Sequence, residues 1–464
     1  MPARAFGRRA RPLEGSAPAA SPPPPGGSAP APAPLTRRRT ESGETIAEIA
    51  TRLHPVVVRS LDMTKVANLD NQALAAQLQA FLETEQADVP GLSPLDRQRV
   101  VTHLVHDIKG LGPIEPLLVD ESISDILING LKSAYIERYG RLEPIELRFR
   151  DGQHLFHIAQ RIAGRVGRRI DEVSPMVDAR LADGSRVNII IPPLALDGAA
   201  ISIRRFVFRS ASLEQMAEGE AFSPAMARFL RIAMRTRLNI IISGGTGAGK
   251  TTFMNALSRE IDHTERLVTI EDAAELQLQQ PHVVRLETRA ISPEGTGQIS
   301  MRALLINSLR MRPDRIIVGE VRGEEANEML QAMNTGHPGS MCTLHANTPR
   351  DALTRLENML LMASGDIPLP ALRRQIASSV DLVIQLARLR TGHRCVTSIT
   401  NVVGIENDVI TTEELWRRRP GSEAHVFETS GRQPSWTEAA RAIGLYEELM
   451  ETLQADPRIG EAPA

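Results

Sequence analysis

The stretch LNIIISGGTGAGKTT, residues 238–252, decides how this chain is interpreted. A β-branched apolar run enters a glycine-rich turn, and the residues that follow Lys250 have the composition of a helix. Residues 244–251 match the P-loop pattern, which is Gly, four residues, Gly-Lys and then Ser or Thr. Glycines let backbone N–H groups approach phosphate oxygens closely, and the helix N-terminus adds partial positive charge. The stretch therefore predicts nucleotide binding, with a ligand-free strand-to-helix turn as the alternative.

The residue types of this loop indicate which ligand it takes. Lys250 is expected to reach the β- and γ-phosphates of ATP, and the Thr251 hydroxyl is expected to ligate Mg²⁺. A dinucleotide-binding fold is disfavoured because Lys250 and Thr251 occupy the helix start, where that fold packs closely. ATP and Mg²⁺ are thus the expected ligands. The predicted nucleotide-binding residues of the loop are Gly244, Gly245, Thr246, Gly247, Ala248, Gly249, Lys250, Thr251 and Thr252.

Composition limits the classes of protein to consider. The chain has 464 residues, enough for two or three domains with separate cores. A net charge of −2 gives no global basic field, so no nucleic-acid partner is expected. Two cysteines cannot form a disulfide framework, which is typical of a reducing cytoplasm. No apolar run reaches the roughly 20 residues of a membrane span, so we expect membrane association only through a partner or a surface contact.

Three regions precede the P-loop half of the chain. Residues 1–44 are rich in proline, alanine and arginine and are expected to be disordered, because they can bury little apolar surface. Helical periodicity predicts a small α-helical module over 45–109, and mixed signals predict an α+β domain over 110–207. The elements predicted in that domain are strands over 123–129, 134–138 and 200–206, a helix over 155–166 and an Asp-Gly hairpin over 180–191.

Three further regions complete the chain. A polar connector over 208–222 leads into a P-loop domain that we place at 223–410. Strands and helices alternate in that domain, which predicts an α/β fold around a mostly parallel sheet. Residues 411–464 are polar and are interpreted as a C-terminal tail that could add a strand and a helix to the fold but has no chemistry of its own.

Two predicted strands of the P-loop domain end in acidic residues. One ends in Glu320 and the other in Glu271 followed by Asp272. The carboxyl ends of parallel strands converge on the ligand crevice, so we expect these acids near the phosphates. Glu320 is the first candidate for the base that activates water, Glu271 competes for that role, and Glu271 and Asp272 are candidates for Mg²⁺ or its water shell. The alternatives are a salt bridge from Glu320 to Arg322 and a helix cap by Asp272.

A histidine and two arginines extend the candidate site. His345 follows a short strand after the acidic one, where its imidazole is placed to contact a γ-phosphate; a structural role is the alternative. Arg204 and Arg205 end a predicted strand of the α+β domain, and a planar guanidinium suits phosphate binding. For either arginine alone, a surface role is the alternative.

Taken in order, these motifs resemble the secretion ATPase superfamily, which powers type II and type IV secretion and pilus assembly. The matching stretches are 244–252 for its Walker A motif, 269–272 for its Asp box, 318–322 for its atypical Walker B motif and 343–347 for its His box. Residues 177–186 and 202–206 are most similar to the CpaF-type branch, the Tad (Flp) pilus assembly ATPases.

The resemblance implies a P-loop (RecA-like) ATPase domain in a homo-hexameric ring, with ATP bound between the two halves of the conserved core. It implies hydrolysis coupled to domain movement at the cytoplasmic face of the inner membrane, with membrane platform proteins as partners. It also implies that Arg204 and Arg205 contact phosphates, and that Lys250, Glu271, Glu320 and His345 take part in catalysis. Two other functions stay open at this point: a nucleic-acid-translocating ring ATPase and a non-hydrolysing, nucleotide-gated scaffold.

Overall fold

The computed structural model describes residues 45–84, 92–138, 140–206, 211–289, 291, 296–363, 367–419, 421 and 426–459. The chain divides into two compact units, one up to Val105 and one from His106 onward. The N-terminal segment that we expect to be disordered, residues 1–44, lies outside the described residues. No helix of the described ranges is long and apolar enough to span a membrane.

The described residues of the first unit form helices, as the helical periodicity of this part of the sequence predicts. Its helices are α1 (Ile46–Ser60), α2 (Met63–Asn68) and α3 (Asn71–Leu82), and α4 (Pro94–Ile108) begins in it. Thr45 opens α1 with a capping box to Glu48, which satisfies backbone N–H groups at the helix start. Ser93 accepts a hydrogen bond from the backbone N–H of Asp96 at 3.1 Å, as expected for a Ser-Pro helix start.

The second unit begins with an antiparallel sheet of six strands in the order β3-β2-β1-β6-β5-β4. Helix α6 covers this sheet and buries Leu155, Ile158 and Ile162 in the same cluster as Ile126 and Val187. The elements are α5 (Glu115–Val119), β1 (Ile123–Asn129), β2 (Ser133–Arg138), β3 (Arg141–Ile145), α6 (Gly152–Arg165), β4 (Met176–Arg180), β5 (Arg186–Ile190) and β6 (Ala200–Arg204).

Most elements of this sheet lie where the sequence predicts them. The β4–β5 hairpin turns at Gly184, whose φ of +90° explains the glycine of the Asp-Gly pair. Helix α6 begins at Gly152 rather than at residue 155, because the Asp151 side chain caps the backbone N–H of His154 at 2.7 Å.

The P-loop half forms a nine-stranded sheet in the order β15-β14-β13-β12-β7-β11-β10-β8-β9. The strands from β12 to β9 in this order are parallel, and β13, β14 and β15 extend the sheet antiparallel. The strands are β7 (Ile240–Gly244), β8 (Leu267–Glu271), β9 (Val283–Glu287), β10 (Arg315–Val318), β11 (Met341–Leu344), β12 (Leu382–Arg388), β13 (Arg394–Glu406), β14 (Val409–Arg418) and β15 (Phe427–Thr429).

Helices cover both faces of this sheet, which is the P-loop α/β architecture expected from the sequence. Neighbouring residues of β7 alternate between two cores, since Ile240 and Ile242 join one cluster and Ile241 joins the other. The helices are α7 (Leu213–Glu218), α8 (Pro224–Arg235), α9 (Lys250–Ser258), α10 (Met301–Ser308), α11 (Glu325–Asn334), α12 (Pro349–Ala363), α13 (Leu369–Ser379), α14 (Thr437–Ala442) and α15 (Tyr446–Thr452).

Two boundaries differ from the sequence interpretation. The connector 208–222 contains helix α7, which Ser212 opens with a capping box to Gln215. The boundary at residue 410 lies inside strand β14, so the segment interpreted as a tail continues the sheet. Trp416 of β14 is fully buried, with its ring centroid 4.6 Å from that of Phe229. Aromatic burial of this kind makes the segment part of the P-loop core.

Candidate active site

The P-loop joins strand β7 to helix α9 in the geometry that phosphate binding requires. Gly247 and Gly249 have φ values of +70° and +95°, which residues with side chains rarely adopt. A Cβ on Gly244 would lie 2.6 Å from the Leu386 carbonyl oxygen of the neighbouring strand. Glycine is therefore needed at these three positions by conformation or by close approach.

The loop presents donors that fit an anion. Among the described residues, the backbone N–H groups of Gly247, Gly249, Lys250 and Thr251 have no hydrogen-bond acceptor. Such amides at a helix N-terminus form an anion-binding concavity. The Lys250 ammonium lies inside the loop and is buried, and this burial lowers its pKa.

In this arrangement the Lys250 ammonium rests on the loop itself. Its Nζ donates to the carbonyl oxygens of Gly244 at 2.9 Å and Gly245 at 3.0 Å. Neutral carbonyls satisfy the hydrogen-bonding needs of an ammonium but carry no full negative charge, so a phosphate group is a stronger partner. The residues present therefore fit a bound nucleotide.

A cavity of about 540 Å³ opens above the loop, within the size range of small-molecule sites. The P-loop and the chain at the ends of β8, β10 and β11 line this cavity, and residues of the six-stranded sheet line it as well. Two arginines from that sheet, Arg186 and Arg204, line the cavity together with the P-loop. The two sheets of the second unit thus share one basic, polar cavity.

Glu320 follows β10 and belongs to a chain of charged groups in this cavity. Its carboxylate accepts hydrogen bonds from Arg322 at 2.8 Å and lies 3.3 Å from His345 Nε2. The same imidazole nitrogen lies 3.3 Å from Lys250 Nζ. Burial raises the pKa of Glu320, but the hydrogen bond from Arg322 and the charges of His345, Arg322 and Lys250 outweigh it and lower that pKa below its ordinary value.

Glu271, at the end of β8, has an opposite environment. Its side chain is buried, and Oε1 accepts the backbone N–H groups of Glu275 and Leu276, each at 2.9 Å. Within the described part of the chain Oε2 has no hydrogen-bond partner. Burial raises the pKa of Glu271 to about 7, although the two backbone hydrogen bonds act in the other direction.

The predicted metal ligands lie around the same cavity. Thr251 and Asp272 line it with Glu271, and Asp272 is exposed, with Arg322 Nη1 at 3.5 Å from its carboxylate. In the ranges that the structure describes, no three His, Cys, Asp or Glu residues form a group that could hold a metal ion. Mg²⁺ bound through a hydroxyl, water and phosphate oxygens needs no such group, so these residues fit Mg²⁺ that arrives with the nucleotide.

The two arginines predicted to contact phosphate differ in their surroundings. Arg204 lines the cavity, and its charge helps to lower the pKa of Lys250. Arg205 also lines the cavity, but its Nη1 donates to the carbonyl oxygens of Asp120 and Ile123, the latter at 3.2 Å. Arg204 is therefore the better placed of the two for a phosphate group.

Two further arginines at the P-loop are absent from the sequence interpretation. Arg388 ends β12 and Arg394 begins β13, and both line the cavity. Arg394 Nε donates to the Gly247 carbonyl oxygen at 2.9 Å, a contact between residues 147 positions apart. The local sequence contains an arginine-rich turn but no signal that connects it to the P-loop.

Comparison with known proteins places these features in a family. The family model described as "Type II/IV secretion system protein" matches residues 107–442. A protein of Mycobacterium tuberculosis is 38% identical over 299 residues, which are 63% of this chain and 84% of that relative. Conjugal transfer protein TrbB of Rhizobium radiobacter is 34% identical over 304 residues, 64% of this chain and 88% of the relative.

A solved structure, the VirB11 ATPase from the Brucella suis type IV secretion system in complex with sulphate, is 28% identical. The alignment covers 62% of this chain and 94% of that one, with a TM-score of 0.34. The family match spans most of the chain and includes the P-loop, both acidic strand ends and His345. This chain therefore belongs to the type II/IV secretion system protein family.

Proposed function

We propose that this chain hydrolyses ATP to ADP and phosphate and that it is the motor of a Tad/Flp (type IV-like) pilus assembly or protein secretion machine. The observation that carries the proposal is that Lys250, the charged Glu320 and P-loop amides with no acceptor among the described residues meet at one cavity. Family membership supports the secretion role, and the resemblance of residues 177–186 and 202–206 to CpaF-type ATPases supports the Tad/Flp assignment.

The positions of the side chains support distinct roles. Lys250 and the amides at the start of α9 would bind the β- and γ-phosphates, and Arg204, which lines the same cavity, would contact them as well. Thr251, with Asp272 nearby, would hold Mg²⁺ and its water shell, and the ion would offset the charge that develops on the phosphates. Phosphate binding would replace the two carbonyl contacts that Lys250 makes in this structure.

Glu320 is the better candidate for the residue that orients and deprotonates water. Its lowered pKa keeps it a carboxylate at neutral pH, and its side chain reaches the cavity beside His345. Burial lowers the pKa of His345, so its neutral imidazole can donate one hydrogen bond toward a γ-phosphate. Glu271 holds the backbone of residues 275 and 276 and is proposed to position this loop rather than to act as the base.

We further propose a hexameric ring at the cytoplasmic face of the inner membrane, held there by membrane platform proteins. The resemblance to secretion ATPases supports this arrangement, and the share of the cavity wall contributed by the six-stranded sheet supports coupling of hydrolysis to domain movement. A nucleic-acid motor is disfavoured by the net charge of −2. A non-hydrolysing scaffold requires both Glu271 and Glu320 to have structural roles only. The experiment below distinguishes it from a motor, because a scaffold binds ATP without turnover.

The test measures phosphate release by purified full-length protein across a concentration series, together with its mass in solution. Lys250→Ala is the inactive control, and Lys132→Ala, an exposed lysine of the β1–β2 turn, is the matched neutral control. Turnover that rises with assembly into a ring is the expected result. Tight ATP binding without turnover at any concentration would instead support the scaffold.

A further inference from the structure

The hairpin that joins β12 and β13 contacts three parts of the second unit. Its residue Arg394 donates to the P-loop at Gly247, as described above. Its turn faces the β2–β3 turn, where a Cβ added to Gly140 would lie 3.5 Å from the Gly392 carbonyl oxygen. The hairpin is thus positioned between the nucleotide loop and the six-stranded sheet.

The third contact is with the segment that connects the two sheets. The backbone N–H of Val396 donates to the Ala221 carbonyl oxygen at 2.8 Å, and a ring nitrogen of His393 lies 3.1 Å from the Glu220 carbonyl oxygen. Both contacts fix β13 against the connector where it enters α8. A displacement of the hairpin would therefore change its contacts with the P-loop, the connector and the six-stranded sheet together.

A single carboxylate on the six-stranded sheet holds the two arginines of this hairpin. Glu137 of β2 lies 3.4 Å from Arg394 Nη2 and 3.8 Å from Arg388 Nη1, and it lines the same cavity as the P-loop. Arg388 Nη1 in turn lies 3.6 Å from the position of a Cβ on Gly247. One acid and two guanidinium groups thus meet at the edge of the phosphate-binding loop.

We propose that Glu137 and the phosphates of a bound nucleoside triphosphate compete for Arg388 and Arg394. The guanidinium groups already lie against the P-loop, so an incoming phosphate chain is a second anion within reach of the same two cations. Nucleotide binding then weakens the attachment of β2 to the hairpin, and release of nucleotide restores it. Glu137 is a positioning residue in this account and never contacts the reacting atoms.

The proposal rests on nucleotide binding at the P-loop, so it is tested by affinity rather than by turnover. The measurement is the dissociation constant of a fluorescent, non-hydrolysable ATP analogue for the full chain. Glu137→Gln removes the competing charge, and the dissociation constant is expected to fall about threefold, the size typical of partly exposed ion pairs. The dissociation constant of adenosine, which has no phosphates, is expected to stay unchanged.

Matched variants separate competition from a general structural effect. In an Arg388→Gln/Arg394→Gln background the Glu137→Gln effect is expected to disappear. Glu143→Gln, an exposed acid of the neighbouring strand β3, and Arg390→Gln, an exposed arginine of the same hairpin turn, are expected to leave the affinity unchanged. Thermal melting of each variant shows whether it folds, and Glu137→Ala provides a second variant at the same position.

The possible results have distinct meanings. A Glu137→Gln variant that binds the analogue no more tightly than wild type, or that gains affinity equally without the two arginines, overturns the competition. A gain in affinity in a protein that never releases phosphate supports the competition and removes only the hydrolysis proposal. Failure of wild type and all variants to bind the analogue overturns both.

Discussion

Glu271 ends strand β8 and Glu320 follows the neighbouring strand β10 of the same sheet, and their environments are opposite. Glu320 is held by Arg322 and lies beside His345 and Lys250, which lowers its pKa. Glu271 is buried against backbone amides, and its pKa is raised to about 7. Similar positions in the fold thus give one carboxylate suited to chemistry at neutral pH and one suited to holding a loop.

The opposite pKa shifts of Glu271 and Glu320 arise from the residues that surround the end of each strand. Beyond β10 the chain enters the cavity, where the cations Arg322 and Lys250 help to lower the pKa of Glu320. Beyond β8 it folds back, so residues 275 and 276 cover Glu271, and the chain at Gly319 closes the other side.

Loss of phosphate binding at the P-loop should abolish turnover, whatever the ionisation of Glu271 and Glu320. Lys250→Ala deletes the ammonium inside the P-loop, and kcat/KM for ATP is expected to fall about 10²–10³-fold because a charged contact to the transferring phosphoryl group is lost. Steady-state phosphate release measures this. Turnover at the wild-type rate in Lys250→Ala would contradict the placement of the site.

The raised pKa of Glu271 should make the free energy of unfolding depend on pH. The pKa of Glu271 is raised from 4.5 to about 7 in the folded protein, so the folded state holds the extra proton in this window and wild type loses stability as pH rises through it. Glu271→Gln keeps an acceptor without the charge, so its advantage over wild type is expected to grow by about 3 kcal/mol between these pH values and then to remain constant.

Urea unfolding of both proteins from pH 5 to pH 8 measures this difference, with Glu143→Gln as an exposed control. A constant difference across the range would show that Glu271 is ionised in the folded protein at low pH as well. The contrast between the two acids would then be lost.

A substitution between the two acids should disturb the buried one. A Cβ at Gly319 would lie 2.8 Å from Glu271 Cγ, so Gly319→Ala is expected to destabilise the fold by about 2 kcal/mol through overpacking. In a Glu271→Ala background the cost should shrink. Gly164→Ala, which meets no atom within 4 Å, is the control and should be neutral or slightly stabilising. If Gly319→Ala lowers the free energy of unfolding equally in wild type and in Glu271→Ala, the overpacking does not involve the Glu271 side chain.

The smallest effect concerns the ionisation of Glu320. Arg322 lowers the pKa of Glu320, and activity that needs the carboxylate is lost as pH falls through that pKa. Arg322→Gln raises the pKa, so the acidic limb of the pH–rate profile is expected to move up by about one unit. Arg310→Gln, an exposed arginine that donates to the Ile306 carbonyl, is the control. Superimposed profiles for wild type and Arg322→Gln would contradict this role.

Local patterns were sufficient for the strands and the P-loop. Alternating and β-branched runs predicted β1 and β6, and an Asp-Gly pair predicted the hairpin turn at Gly184. The glycines and Lys250 of the P-loop are neighbours in sequence, and the loop conformation that binds phosphate depends on this short segment. The sequence pattern alone therefore identifies them. The convergence of Glu271 and Glu320 on one cavity also follows from a parallel sheet.

Features that depend on distant parts of the chain were not predictable. Trp416 and Trp436 lie in a polar-looking stretch, and only their contacts with Phe229 show that this stretch completes the core. Arg394 reaches Gly247 across 147 positions, which no local pattern indicates. The burial that separates Glu271 from Glu320 is likewise a tertiary property, since both follow similar apolar strands.

The most direct test compares phosphate release by Glu320→Gln and Glu271→Gln in parallel with their affinity for ATP. We predict that Glu320→Gln binds ATP and loses about 10²–10⁴-fold in kcat, whereas Glu271→Gln retains most of its turnover near neutral pH. The reverse order, with Glu271→Gln inactive and Glu320→Gln close to wild type, would contradict the assignment of Glu320 as the residue that activates water.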